Sequence, residues 1–173
     1  GNASDGIEIA ADINRFTGDS TGNLVQGNLI GTNAAGNAVR PNTDNGIRIV
    51  ENTCMVDVNP QCAGLSSSVK NNTIGGTTTA ERNIISGNAK AGVFFYLNSA
   101  HHNKVLGNYM GTDVTGTKAI ANQNGVHVNA GQYNTIGGTT AGARNVLSGN
   151  IHDGVLINSG NAKGNVIQGN YMG

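Results

Sequence analysis

The chain of 173 residues contains two cysteines, Cys54 and Cys62, which could form a disulfide or bind a metal ion. A disulfide between them is the simplest interpretation, and disulfides persist in oxidising compartments outside the cytoplasm. Two free thiols in a loop are the alternative. A metal site is disfavoured, because no further pair of His or Cys lies nearby to complete a set of ligands. We therefore predict a disulfide, an extracellular or cell-surface location, and neither metal nor cofactor.

Acid–base chemistry requires carboxylates or histidines that approach one another. The ten acidic residues and four histidines are spread along the whole sequence. We expect Glu8 and Arg48 to form a solvated ion pair, and His101 and His102 to be exposed. The sequence also has no glycine-rich loop of the kind that binds nucleotides. Whether any of the acidic side chains approach one another depends on the secondary-structure elements that position them.

An asparagine motif recurs through most of the chain. It consists of Asn, an aliphatic residue two positions later and Gly four positions later, and its later copies are 31 residues apart. A fixed period of this length is typical of stacked repeats. The first copy begins 49 residues before the second, which indicates an insertion between them. The five asparagines are Asn23, Asn72, Asn103, Asn134 and Asn165.

A second repeated pattern is Gly followed by alternating apolar positions, as in Gly46–Ile49 and Gly125–Val128. Alternation with a period of two predicts short strands with one buried face. A third element takes two forms: Arg82–Asn88 returns 62 residues later, and Gly107–Thr112 begins again after the same distance as Gly169–Gly173. Identical motifs stack only if the chain wraps repeatedly in one direction, because a meander of hairpins would bring the copies together antiparallel.

We therefore predict an all-β fold, a single-stranded parallel β-helix or β-solenoid with three short strands per turn. About four and a half turns fit into residues 1–173, and we expect one domain with uncapped ends, a fragment of a longer solenoid. The repeated asparagines would form a structural ladder, since each side-chain amide can hydrogen-bond to the next one in its column. The second turn has 17 extra residues, which predicts an inserted loop, 50–71, projecting from it.

The segments Asn134–Asn150 and Asn165–Gly173 resemble the repeats of right-handed parallel β-helix regions in large bacterial secreted and cell-surface proteins. The resemblance implies a right-handed helix, which agrees with the general handedness of parallel crossovers. It also implies a bacterial, extracellular protein. It implies no particular activity, because such helices carry pectin-degrading enzymes, epimerases, phage tailspikes and non-catalytic adhesins.

Stacked turns would keep the acidic residues apart. Asp5 and Asp153 would share one corner column, but four turns would separate them by about 19 Å at the usual strand spacing. The column of His127 would contain no Ser or Cys, and its one acid, Glu8, is expected to pair with Arg48, so a catalytic triad is not expected. We predict no catalytic residues, and hence a non-catalytic structural or adhesive segment. Its partners would be its own flanking coils or another copy stacked end to end.

The alternative function is a polysaccharide-active enzyme of the lyase, hydrolase or epimerase type, or a glycan-binding module. Shallow faces of a β-helix fit extended sugars, which would stack on aromatic rings. The residues that we predict as glycan contacts are Phe94, Tyr96, Tyr109 and His127. Tyr109 recurs as Tyr171, and this recurrence favours a structural role for that residue over a unique site.

Charge and hydropathy disfavour two other classes of partner. The formal net charge is zero, and the sequence has no basic stripe that would hold a phosphate backbone, so we predict no nucleic-acid binding. The sequence also has no apolar run of about 18 residues, so we predict no membrane insertion.

Overall fold

The computed structural model describes residues 1–12, 18–52 and 67–173. The predicted Cys54–Cys62 disulfide, and residues 53–66 of the predicted loop 50–71, lie outside these ranges. The helices among the described residues are two 3-10 helices of three residues each, Thr79–Glu81 and Ala141–Ala143. In the described part of the chain, no helix is long and apolar enough to cross a membrane.

Three sheets of five parallel strands make up most of the fold. Sheet A contains β1 (Ile7–Asp12), β5 (Ile47–Asn52), β9 (Ala91–Tyr96), β13 (Asn124–Asn129) and β16 (Val155–Asn158). Sheet C contains β3 (Leu24–Val25), β7 (Thr73–Gly75), β11 (Lys104–Leu106), β14 (Thr135–Gly137) and β17 (Val166–Gln168). Sheet D contains β4 (Leu29–Ile30), β8 (Ile84–Ile85), β12 (Tyr109–Met110), β15 (Val146–Leu147) and β18 (Tyr171–Met172).

A fourth and smaller sheet, sheet B, contains β2 (Ser20–Thr21), β6 (Val69–Lys70) and β10 (Ala100–His101), also in parallel. We call each consecutive set of strands that contributes one member to each large sheet a coil. Coils 1 to 5 begin with β1, β5, β9, β13 and β16. The prediction of three strands per turn is therefore wrong for coils 1 to 3, which contain a fourth. Strands of two residues are too short to show an alternation of apolar positions, and those of sheet B, unlike the equally short strands of sheet D, carry no repeated motif.

The prediction of an all-β fold with parallel strands is confirmed, and the strand order is consistent with a β-solenoid. Each strand pairs in register with its equivalents in the neighbouring coils, so that matching positions form columns. Ile47, Val93 and Val126 are one such column on sheet A, and all three are fully buried. The core between the sheets is filled by Ile, Val and a few larger side chains, of which Phe95 is the largest that is fully buried.

Coils 1 and 3 differ from coils 2 and 4 in where they carry extra residues. In coils 1 and 3 a short hairpin follows sheet D, closed by antiparallel bridges between Thr32 and Val39 and between Thr112 and Ala119. In coils 2 and 4 one of the two 3-10 helices lies between sheets C and D instead. The 62-residue spacing of the sequence motifs is therefore the length of two coils that differ in shape.

Candidate functional site

The predicted column of asparagines is a continuous series of hydrogen bonds that connects all five coils. The main-chain N–H and the Nδ2 of Asn72 both donate to Oδ1 of Asn103, each at 3.0 Å. Asn103 donates in the same way to Asn134, at 2.9 and 3.1 Å. The second Nδ2 hydrogen of Asn103 points to the carbonyl oxygen of Val69, at 2.9 Å. The side chains of the three central members are fully buried, so each amide replaces water with protein partners.

Two further asparagine ladders lie at other corners, and the sequence analysis missed both. The second ladder joins sheets C and D, and it consists of Asn28, Asn83, Asn108, Asn145 and Asn170. The third ladder precedes sheet A, and it consists of Asn2, Asn42, Asn88, Asn122 and Asn150. A corner turned by an asparagine recurs in each coil, so the side-chain amides form three hydrogen-bonded columns around the core.

The outer face of sheet A brings together three of the four predicted glycan contacts. Phe94 and Tyr96 alternate with buried residues on β9, and register places His127 of β13 beside Phe94. The ring centroids of Phe94 and His127 are 4.8 Å apart, and those of Phe94 and Tyr96 are 5.5 Å apart. These rings line a shallow groove of about 360 Å³ whose polar wall includes Arg48 and Lys90. We call this surface the sheet A groove.

Tyr109, the fourth predicted contact, lies on sheet D and not in the sheet A groove. The guanidinium carbon of Arg82 is 4.1 Å from the centroid of its ring, and Arg82 Nε donates to the carbonyl oxygen of Gly107 at 3.1 Å. Arg144 and Tyr171 repeat the pair two coils later, at 5.4 Å. A cation over an aromatic ring contributes about 0.5–1 kcal/mol at an exposed site. Because the Arg–Tyr pair recurs at equivalent positions, it is a contact of the scaffold and not a unique site.

The acidic side chains near the sheet A groove are engaged with basic ones. Arg48 Nη1 is 3.3 Å from Oε2 of Glu8 and 4.0 Å from Oδ2 of Asp5. Lys90 Nζ is 2.9 Å from Oδ1 of Asp44. Asp5 also accepts two hydrogen bonds, from the main-chain N–H and the Nδ2 of Asn45, each at 2.9 Å. These carboxylates hold neighbouring coils together.

Other carboxylates have pKa values below their usual range, which does not suit a general acid at neutral pH. Hydrogen bonds from Lys70 and then Ser68 lower the pKa of Asp19 from 3.8 to about 2. Hydrogen bonds from Thr78 lower the pKa of Glu81, which accepts from the main-chain N–H of Thr77 as well. The hydroxyl of Thr115 lowers the pKa of Asp113, at the base of the hairpin in coil 3. In each case the hydrogen bonds stabilise the ionised carboxylate, and this stabilisation lowers its pKa.

The adjacent histidines lie in a corner between sheets B and C. Their Nδ1 atoms are 2.8 Å apart, and the ring of His102 stacks on Tyr133 with centroids 5.2 Å apart. His102 is exposed, as predicted for that corner, whereas His101 is half-buried. Burial, followed by the charges of His102 and Lys70, lowers the pKa of His101. No group of three or more His, Cys, Asp or Glu suited to a metal ion occurs among the described residues.

The geometry thus provides a polar scaffold and one shallow aromatic groove. Comparisons of the chain with protein-family models, with curated proteins and with solved structures found no match.

Proposed function

We propose that this chain is a non-catalytic structural or adhesive segment of an extracellular bacterial protein, built as a right-handed parallel β-helix. The proposal rests on the contacts of the acidic side chains. Seven of the eight acidic side chains that the structure describes are held by ion pairs or hydrogen bonds of the scaffold; only Asp153 is not. A pair of carboxyls for acid–base chemistry requires one group that is free to exchange its proton with a substrate.

The three asparagine ladders support a mechanical role for the same segment. The buried amides donate to the next member of their column, and hydrogen-bonded polar networks in a core make a structure rigid and unique. A solenoid of this kind extends in one dimension, and each coil contacts only its neighbours. Such a rod separates or displays whatever it carries, and it needs no reaction of its own. The right-handed sense follows the general preference of parallel crossovers.

We predict that the purified chain does not cleave or epimerise polysaccharides. A panel of pectins, alginates and neutral β-glucans is incubated with the chain, and reducing ends, unsaturated products and epimerised residues are measured. The expected rate is that of buffer alone, because seven of the eight described carboxylates are held by ion pairs or hydrogen bonds of the scaffold. Turnover that depends on the concentration of the chain would contradict the proposal. A variant lacking the only unengaged acid of the described residues, Asp153→Asn, would then show whether that group is responsible.

The second candidate function is glycan binding without catalysis, and the sheet A groove is the observation that favours it. Tilted aromatic rings offer flat apolar surfaces, and the charged groups beside them offer donors and acceptors for hydroxyl groups. Arg48 and Lys90 are each paired with carboxylates, so the groove carries little net charge. The proposal is therefore a neutral, extended glycan lying across coils 2 to 4.

Replacing Phe94 by alanine should weaken binding of a neutral glycan about fivefold, since an aromatic contact is worth about 1 kcal/mol. The probe is a set of neutral oligosaccharides, with binding followed by calorimetry and by shifts of the His127 ring resonances. Tyr133→Ala is the matched control, because Tyr133 is an exposed aromatic residue outside the groove. Equal losses for both variants, or no binding to the unchanged chain, would rule out this second function.

A further inference from the structure

A further column of corner residues runs beneath the sheet A groove, with one member in each coil, and in it each coil donates to the coil before it. The main-chain N–H of Asn45 donates to Oδ1 of Asp5 at 2.9 Å, and that of Ala91 donates to Oδ1 of Asn45 at 3.1 Å. The N–H of Asp153 donates to Oδ1 of Asn124 at 3.1 Å, and register places Asn124 beside Ala91. In coil 3 the column therefore has alanine where its neighbours have a polar side chain.

This alanine leaves the amide of Asn124 only partly used. Asn124 lines the groove and is 6% exposed, and its Oδ1 accepts from Asp153. Its Nδ2 donates to no described residue, because the adjacent member of the column, Ala91, has no side-chain acceptor. Buried polar groups are nearly always hydrogen-bonded. An unpaired amide in the lining of a groove therefore indicates an acceptor that comes from a ligand.

The first asparagine ladder shows which chemical group fits such a gap. There Asn103 lies between Asn72 and Asn134, accepts from the Nδ2 of one at 3.0 Å and donates to the Oδ1 of the other at 3.1 Å. A single carboxamide thus bridges two residues that are two coils apart. The gap at Ala91 lies between an acceptor and a donor of the same kind, Oδ1 of Asn45 and Nδ2 of Asn124, and only the carboxamide between them is missing.

A sugar with an acetamido substituent would supply that carboxamide. Its N–H can donate to Asn45 and its carbonyl oxygen can accept from Asn124. Phe94 also lines the groove, three residues beyond Ala91 on the same strand, or about 10 Å at the usual rise. A pyranose ring and its acetamido arm together span such a distance. The cations of the groove are paired with carboxylates, which suits an uncharged substituent.

We propose that the sheet A groove recognises an N-acetylated amino sugar and holds its acetamido group in the gap beside Ala91. Asn124 is then the residue that determines specificity, because its Nδ2 donates to the acetamido oxygen. The inference rests on the proposed glycan binding and names the class of sugar. A hydroxyl group at the same ring carbon is shorter and has a single oxygen, so it leaves at least one of the two partners without its hydrogen bond.

Two tetrasaccharides test the class of sugar, the equally linked tetramers of N-acetylglucosamine and of glucose. Calorimetry measures the affinity of the unchanged chain for each of them. We expect the N-acetylated tetramer to bind about tenfold more tightly, because the other tetramer leaves a buried donor unpaired. NMR provides a second measurement: the side-chain amide signals of Asn124 should shift with the N-acetylated tetramer and not with the glucose tetramer.

Ala91→Asn fills the gap with a carboxamide of the chain itself. Asparagine suits this corner, since Asn45 and Asn124 occupy the equivalent position in the neighbouring coils. The variant should lose the preference for the N-acetylated tetramer. Its melting temperature should equal or exceed that of the unchanged chain, because the Nδ2 of Asn124 gains an acceptor. A lost preference in a chain of undiminished stability distinguishes a filled site from a damaged fold.

Asn124→Asp tests the same donor without filling the gap, and it decides the matter if Ala91→Asn does not fold. Aspartate keeps the Oδ1 that accepts from Asp153 and replaces the Nδ2 donor by an acceptor. The preference for the N-acetylated tetramer should again disappear. Asn98→Asp is the matched control, because Asn98 is exposed and does not line the sheet A groove, and it should retain the preference.

Equal affinity of the unchanged chain for both tetramers, or a preference that survives in Asn124→Asp, would overturn the inference. Either result would leave glycan binding by the groove standing, since that function is tested by the loss of affinity in Phe94→Ala. Absence of binding by both tetramers would also overturn the inference. Glycan binding itself fails only when no neutral oligosaccharide of the wider set binds, so the two proposals fail on different measurements.

Discussion

Replacing Asn103 by alanine is expected to lower the free energy of unfolding by about 4 kcal/mol. Its side chain makes four hydrogen bonds, to Asn72, Asn134 and the carbonyl oxygen of Val69, and it is fully buried. Alanine would leave the N–H groups of Asn72 and the Val69 carbonyl without those partners in a site that excludes water. The measurement is chemical denaturation of the two chains under identical conditions.

Asn165→Ala is the matched control for this prediction. Asn165 belongs to the same ladder but lies in coil 5, where its side chain is half-buried and water can replace its partners. We expect a loss of about 1 kcal/mol there. Equal losses at the two positions would show that burial of the ladder does not determine its contribution. Measurements at low protein concentration keep self-association from adding to either value.

The second large effect is expected at Gly75, where alanine should cost about 3–5 kcal/mol of stability. Gly75 has φ of +83°, in the left-handed region that a side chain disfavours. A methyl group there would also overlap the main-chain oxygen of Leu106 and the side chain of Asn108, a buried member of the second ladder. Two causes therefore add, strain of the backbone and displacement of the ladder.

Gly22→Ala separates those two causes. Gly22 has φ of +73°, but a methyl group there would have no atom within 4 Å. The expected cost is about 1 kcal/mol, which is that of the backbone alone. A thermal or chemical unfolding series of both variants gives the difference directly. If Gly75→Ala were no worse than Gly22→Ala, close packing of adjacent coils would not explain the glycine.

The two proposals differ in the part of the molecule on which they rest. The structural role rests on contacts between coils, namely the ladders, which recur in every coil, the ion pairs of coils 1 to 3, and the Arg82–Tyr109 pair, which recurs two coils later. Glycan binding rests on Phe94, Tyr96 and His127, which occur once each. Repetition is expected of a scaffold, and a unique cluster is expected of a site. In the sheet A groove, adjacent aromatic rings interrupt the repeated pattern of the coils.

The sequence by itself determined the class of fold and one of the three ladders. A motif that returns at a constant 31 residues places its copies in one column, because each coil adds one strand spacing along the axis. Register along sheet A follows from the alternation after each glycine, which gives Phe94 and His127 equivalent positions two residues after Gly92 and Gly125. These features are local and periodic, which is why they can be deduced from spacing alone.

Only the tertiary structure revealed the other two ladders. Members of the second ladder are separated by 25 and 37 residues in successive coils, and those of the third by 34 and 28. Each pair of spacings equals twice 31, because hairpins and 3-10 helices lengthen alternate coils on opposite sides of a corner. These asparagines come together because they occupy the same corner in successive coils, and not because equal numbers of residues separate them. Tyr109 lies away from Phe94 because the chain turns corners between sheets A and D. Packing around the core sets the direction of those turns.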